Sequence, residues 1–324
     1  MSAEERPAGE VRRPVAGGPV SGKAAAGLHP PSTLVVWLMA IRPRTLTAAV
    51  APVILGTAIA GARGAMAIGP AAAALVGALL IQVATNLAND YFDFMKGGDR
   101  GGRVGPTRVV QAGLLAPNTV MRAVVLVVGL ATLVGAYLVW VGGPGILVVG
   151  VFSLVCAIAY TGGPFPLAYH GLGDVFVFVF FGLVAVGGTY WVQARALPPD
   201  LLLAGAGVGA VTTAILVVNN LRDIVTDEEA GKRTLAVRLG RRGTRIEYLV
   251  LLVGAAVVPI VGVAMAGWPA WVLIGIVGLG PAARGAVTVF SYRQPTELNG
   301  ALAATAQGVA GYAALLSLGF LLGS

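Results

Sequence analysis

Residues 68–93 read IGPAAAALVGALLIQVATNLANDYFD. From Ile68 to Thr85 the stretch carries no charge. A helix needs about 20 apolar residues to cross a bilayer, so the run reads as a membrane span. Its last turns change character. Asn86, Asn89, Asp90 and Asp93 fall at i, i+3, i+4 and i+7, one polar stripe on an apolar helix. Aspartate near membrane depth is costly unless it is paired, metal-bound or facing water.

The rest of the chain fits that beginning. Of its 324 residues, 57% are hydrophobic and only 11% charged, against about 25% charged in soluble domains. Such a chain cannot hide its apolar surface in one aqueous core, so an all-α integral membrane fold is expected. The single cysteine, Cys156, excludes an internal disulfide and a thiolate metal cluster. Two histidines, His29 and His170, are too few for a histidine metal site. The net charge of +8 does not point to nucleic acid, because the basic residues sit in gaps between apolar runs, as topology signals and anion contacts do.

Residues 1–33 are rich in Pro, Gly and Ala and are expected to form a disordered cytoplasmic tail without a signal peptide. Residues 34–324 are expected to form one transmembrane domain, led in by an amphipathic surface segment at Trp37–Thr45. Nine spans are expected: Leu46–Ala62, Ile68–Phe92, Val120–Val141, Ile146–Tyr160, Gly173–Val192, Leu201–Leu221, Tyr248–Ala266, Ala270–Phe290 and Leu302–Leu322. With the N-terminus inside, 20 of the 22 lysines and arginines fall on the inner side and only Arg63 and Arg195 on the outer. That obeys the positive-inside rule. It predicts a multi-pass protein of the cell (inner) membrane, N-terminus cytoplasmic and C-terminus outside.

A second polar stripe ends the sixth expected span. In Asn219-Asn220-Leu-Arg222-Asp223-Ile-Val-Thr-Asp227, residues 219, 223 and 227 are at i, i+4 and i+8. Seven of the 14 acidic residues lie in the two segments: Asp90, Asp93, Asp99, Asp223, Asp227, Glu228 and Glu229. Two acidic stripes at one membrane side repel each other when bare. Magnesium, which takes oxygen ligands and is shared between carboxylates and substrate phosphates, removes that conflict. The alternative is polar packing between helices, or pairing with nearby lysines and arginines. Basic, glycine-rich stretches follow both stripes and offer phosphate contacts: Lys96, Arg103 and Arg108 after the first, Lys232 and Arg233 after the second. Arg100, Arg241, Arg242 and Arg245 read as flexible linker charge. Arg42-Pro43-Arg44 opens the first span, and the loop from Tyr160 to Asp174, which holds His170 but no Lys or Arg, reads either as a tight loop or as part of an acceptor pocket. Asp174 could also cap the fifth helix.

These segments resemble the paired aspartate-rich motifs of the UbiA superfamily of intramembrane prenyltransferases. The match is closest to its MenA-type branch, the 1,4-dihydroxy-2-naphthoate polyprenyltransferases. The resembling stretches are RPRTLTAAVAPVILGTA from Arg42, NLANDYFDFMKGGD from Asn86, GPTRVVQAG from Gly105, YTGGPFPLAYHGLGD from Tyr160 and NNLRDIVTDEEAGKRTLAVRLG from Asn219. The resemblance covers about residues 37–322 and departs in one place. A two-residue glycine insert displaces the third acidic residue of the first motif to Asp99. It implies nine helices around a central cavity, two Mg2+ ions, a polyprenyl diphosphate donor and an aromatic acceptor, 1,4-dihydroxy-2-naphthoate. Asn86, Asp90, Asp93, Asp99, Asp223 and Asp227 would then be metal ligands. Arg42, Asn86, Lys96, Arg103, Arg108, Gln111, Tyr160, His170, Asp174, Asn219, Asn220 and Arg233 would be substrate contacts, with Lys232 catalytic beside Asp90, Asp93, Asp223 and Asp227. A superfamily relative with another acceptor, such as 4-hydroxybenzoate, is the nearest rival. A secondary transporter is the rival from another class, but it calls for charge at the bilayer midplane on broken helices.

Overall fold

A computed structural model describes residues 31–97 and 105–324. Asp99, Arg100 and Arg103, and nearly all of the 1–33 tail, lie outside the described residues. The elements are α1 (Thr33–Ile41), α2 (Leu46–Ala62), α3 (Ile68–Met95), α4 (Pro117–Gly142), α5 (Pro144–Ala159), α6 (Gly173–Ala194), α7 (Asp200–Arg222), α8 (Ile224–Glu229), α9 (Leu235–Met265), α10 (Ala270–Ser291) and α11 (Leu298–Leu322). Among the described residues there is no strand.

Eight helical stretches are long and apolar enough to cross a membrane. The expected fourth span is the exception. α5 has 16 residues, about 24 Å at 1.5 Å per residue, short of the ~30 Å hydrocarbon core. The described chain therefore has eight full-length stretches and one short helix, α5, at the place of the expected span Ile146–Tyr160. The lead-in also differs from expectation. α1 carries no charged residue and buries Val36 and Ala40, so it is apolar, and with α2 it forms a single 30-residue membrane stretch. Arg42 joins the two in the left-handed conformation, φ 56°, followed by a 3-10 turn at Pro43–Thr45.

α7 is the axis of the bundle. In its most apolar window 72% of residues are buried, against 11% in α4. It packs against α6, α9 and α11, while large side chains such as Trp140 and Val148 face outward. With no hydrophobic drive between helices in lipid, close approach relies on small residues. α6 loosens into a π-helix at Val179–Val184, and there Gly182 sits against Gly205 and Gly209. A Cβ on Gly182 would lie 2.5 Å from the Gly205 carbonyl oxygen and 2.7 Å from Gly209 Cα. Gly182→Val is expected to destabilise the bundle by about 3 kcal/mol. Gly129→Ala, with nothing near its Cβ, should hold or raise stability. Thermal unfolding in detergent checks both, and a Gly182→Val midpoint equal to wild type would refute the packing argument.

Two local expectations change at the second stripe. α7 ends at Arg222, Asp223 forms the link, and Asp227 lies on the separate α8, so the stripe is not one continuous helix. Arg241, Arg242 and Arg245 belong to α9 instead of a linker. α9 itself is interrupted at Gly240, whose φ of 67° and ψ of 176° are not helical.

Candidate active site

α3 carries the first stripe as expected, unbroken to Met95. Its carboxylates leave the lipid-facing surface entirely: Asp90 is 1% exposed and Asp93 2%. Asp93 is the hub. Its Oδ2 accepts an ion pair from Arg108 at 2.6 Å and lies 3.4 Å from Lys232 Nζ. Tyr169 donates its hydroxyl to Oδ1 at 2.9 Å. Lys232 also approaches Asp227 Oδ1, at 3.7 Å, so one ammonium ties the two acidic segments together. Tyr169 offers its ring to two ammonium groups, Lys96 and Lys232, each 5.0 Å from its centroid, a favourable cation–π geometry. Lys96 is held by the Thr161 carbonyl at 2.7 Å. Burial pushes its ammonium below the usual lysine range; Asp93 opposes the shift and Lys232 adds to it.

Asp90 sits behind the cavity wall. Its Oδ2 accepts from the Val109 amide at 3.0 Å, which anchors the 105–110 segment, while its buried Oδ1 has no hydrogen-bond partner among the described residues. Arg108 reaches across to donate to the Asn89 carbonyl at 3.1 Å, and Thr161 donates to Asn89 Oδ1 at 2.7 Å. On the second stripe Arg222 grips Asp223 with two bonds, at 2.8 and 2.6 Å. The same guanidinium holds the side-chain oxygens of Asn219 and Asn299 at 2.8 and 2.9 Å.

This cluster closes one end of a cavity of about 1550 Å³. Arg42, Asn86, Asp93, Lys96, Arg108, Tyr160, Asn219, Asn220, Asp223, Asp227 and Lys232 all line it, and below them the walls turn apolar, with Leu138, Leu154, Phe180 and Phe181. Tyr160 is placed in the field of the Asp174, Asp227 and Asp93 carboxylates.

Other candidates are not brought to the cavity. Gln111 is exposed on a shallow depression with Gly105–Arg108. His170 stacks on Phe165 at 3.6 Å and its Nδ1 lies 2.9 Å from the Pro166 carbonyl, so it shapes its own loop. Arg233 is exposed and contributes its backbone N–H to the Tyr169 carbonyl at 2.9 Å. Asp174 lies buried in the first turn of α6 with no capping bond. Conversely, Tyr169, Thr161, Asn299, Thr45 and Gln82 belong to the site although the sequence reading does not single them out. Gln82 has a signal, as it extends the α3 stripe one turn from Asn86. Tyr169 stands in one of the quoted segments, but its role depends on a fold-back that sequence spacing does not show.

Among the described residues no three His, Cys, Asp or Glu side chains converge as a metal site. The donors present are nevertheless oxygens suited to a hard divalent cation. The orphaned Asp90 Oδ1 in particular fits one, since a buried carboxylate oxygen without a donor is costly. Asp93 and Asp223 would have to exchange Arg108, Lys232 or Arg222 for the ion.

Residues 49–305 match the UbiA prenyltransferase family. The chain belongs to that family. Among UbiA-type relatives, the 1,4-dihydroxy-2-naphthoate octaprenyltransferase of Escherichia coli (strain K12) is 43% identical over 227 residues, 68% of this chain and 74% of its own length. The enzyme of the same name from Haemophilus influenzae is 35% identical over 303 residues, 90% of this chain and 97% of its own. The solved UbiA homolog from Archaeoglobus fulgidus bound to GPP and Mg2+ is 14% identical and aligns with a TM-score of 0.57 over 87% of this chain and 99% of its own. At that identity it speaks for the UbiA fold alone.

Proposed function

We propose that this protein transfers a polyprenyl chain from a polyprenyl diphosphate to 1,4-dihydroxy-2-naphthoate. Carbon dioxide is lost, and the products are demethylmenaquinone and free diphosphate, a step of menaquinone biosynthesis. The observation that carries the reading is the cavity in which a carboxylate–cation cluster caps an apolar hollow, in a chain that shares 43% identity with a naphthoate octaprenyltransferase.

In this reading the diphosphate lies at the capped end, against Lys96, Arg108 and Lys232. Breaking the allylic C–O bond sends its electron pair to the diphosphate oxygen, and these cations stabilise the charge that grows there. Asn86, Asp90 and Asp93 on one side and Asp223 and Asp227 on the other would hold Mg2+, two ions, with Asp99 as a further candidate. When bound, magnesium supplies Lewis-acid neutralisation of the diphosphate. Tyr160 and the apolar wall below keep water from the allylic carbon, so that the ring carbon of the naphthoate is the nucleophile available. Asn219, Asn220 and Arg42 line the remaining polar wall and orient the acceptor. The polyprenyl tail stays in the apolar hollow and the surrounding lipid. Residues 34–324 form the membrane catalytic domain, with residues 1–33 as a cytoplasmic tail and the C-terminus on the outer side of the cell membrane.

The test is turnover in nanodiscs with a radiolabelled octaprenyl diphosphate and Mg2+. Lipid-soluble product is expected with 1,4-dihydroxy-2-naphthoate, none with 4-hydroxybenzoate, and EDTA should remove it until Mg2+ is restored. Product with another acceptor alone would replace the naphthoate assignment. Turnover indifferent to EDTA would remove the metal.

A further inference from the structure

α9 resumes as a helix beyond the interruption at Gly240. Residues 246–265 then give 20 positions with one charge, Glu247. That is about 30 Å of helix, the thickness of the hydrocarbon core. Arg245 immediately precedes them, so it sits where apolar tails give way to phosphate headgroups. It lies on the membrane face of the carboxylate cluster, because α9 starts just after Lys232. Arg245 is not placed as a topology charge in a solvated loop is. It is half-buried, and its guanidinium lies over the ring of Tyr292 at the end of α10, 4.9 Å from the centroid, a cation–π geometry. Its Nε is buried against the protein and makes no hydrogen bond. Its two terminal nitrogens keep access to the surface and have no partner among the described residues.

The buried arginines Arg108 and Arg222 each hold a carboxylate. Arg245 holds none among the described residues, and the acids close to it in sequence or at the end of α10 are committed elsewhere. Glu247 is two positions on, a spacing that sets side chains on opposite flanks of a helix, and it lies in the field of Asp174. Glu297 Oε1 accepts from the Arg293 and Gln294 amides at 3.4 and 2.9 Å. The surroundings of Arg245 specify the missing anion. Arg241, four residues earlier and exposed, adds a second cation one turn further from the span. Leu249 and Val253 continue the same stripe at i+4 and i+8 into the span, 45% and 53% exposed. From water into bilayer the stripe reads cation, cation, apolar, apolar. A guanidinium fixed by stacking presents two donors to the oxygens of one phosphate. A soluble anion would use the cations alone, whereas a phospholipid also lays an acyl chain over the apolar half.

We propose that Arg245, stacked on Tyr292, binds the headgroup phosphate of an anionic phospholipid, with Arg241 as the second cation and Leu249 and Val253 as the track of an acyl chain. The site is separate from prenyl transfer, since none of these five residues lines the large cavity.

The test is native mass spectrometry of the full chain, released from micelles that hold phosphatidylglycerol and phosphatidylcholine in equal amounts and with the same acyl chains. The readout is the identity of the first lipid retained. Wild type is expected to retain phosphatidylglycerol over phosphatidylcholine by about tenfold. Arg245→Gln should lose that preference. Tyr292→Phe, which keeps the ring, should hold it, and so should Arg122→Gln, which removes an exposed charge at the start of α4 on the same membrane face. Thermal unfolding of each variant separates lipid binding from folding. Should Arg245→Gln fail to fold, Arg245→Lys carries the test: it keeps the charge but replaces the fork by a single ammonium, and the preference should fall about threefold. Unchanged preference in either Arg245 variant would overturn the inference. An equal fall in Arg245→Gln and Arg122→Gln would mark diffuse surface charge and overturn it too. Loss of the wild-type preference on adding millimolar inorganic phosphate would assign the cations to a soluble anion and remove the lipid.

Discussion

Asp93→Asn is expected to lower turnover about a thousandfold. The carboxylate is the point at which Arg108, Lys232 and Tyr169 meet. Three elements therefore take their position from it: the 105–110 segment, the loop before α6 and the loop before α9. Asparagine keeps the shape but removes the charge and turns one oxygen into an NH2 group, which faces either the Arg108 and Lys232 cations or, turned over, the Tyr169 hydroxyl. Arg108 and Lys232 then lose the carboxylate they share, at the place where the diphosphate is to be bound. The measurement is the initial rate of lipid-soluble product at saturating Mg2+, with thermal unfolding run in parallel to separate activity from folding. A variant that keeps turnover within tenfold of wild type would remove Asp93 from the mechanism.

Arg222→Met is expected to cost about 3–5 kcal/mol of stability. The guanidinium is 3% exposed and binds Asp223 twice, Asn219 and Asn299. Removing it leaves a carboxylate and two amide oxygens at the end of the central helix without their donor. The cost comes mostly from that uncompensated charge, not from the net value of the pair. The double variant Arg222→Met/Asp223→Leu should therefore recover most of the loss in unfolding midpoint while remaining inactive. If the double variant is as unstable as the single one, the explanation through unpaired charge is wrong.

Much of this architecture was open to reading in the residues. Apolar run length places most helices to within a few residues, because span length is set by bilayer thickness. α2 begins and ends at Leu46 and Ala62 in both readings. The stripe from Asn86 to Asp93 was legible because helical spacing alone sets four polar side chains on one face. What was not legible has physical causes. The break at Asp223 cannot be seen in a pattern that fits i, i+4 and i+8, since Arg222 folding onto its neighbour is a side-chain event. Tyr169 and Lys232 meet Asp93 from 76 and 139 residues away, and no local rule joins them. His170, Gln111 and Arg233 do not line the cavity, although Lys232, next to Arg233, does, and residue type alone does not set which side chain of a loop turns inward.

The pairing of the carboxylates bears on how such a chain is made. A ribosome delivers α3 and α7 to the translocon one at a time, long before the bundle exists, and an aspartate in a nascent span resists partition into lipid by about 3 kcal/mol. Each acidic segment arrives with an arginine close in sequence. Asp223 has Arg222 beside it, and Asp93 has Arg108 in the segment that directly precedes the next span. Lys232, the partner that links both segments, is synthesised last of the three. Asp93 and Asp223 thus each have an arginine of their own half to neutralise them, and the tie between the two halves forms when the second half has emerged.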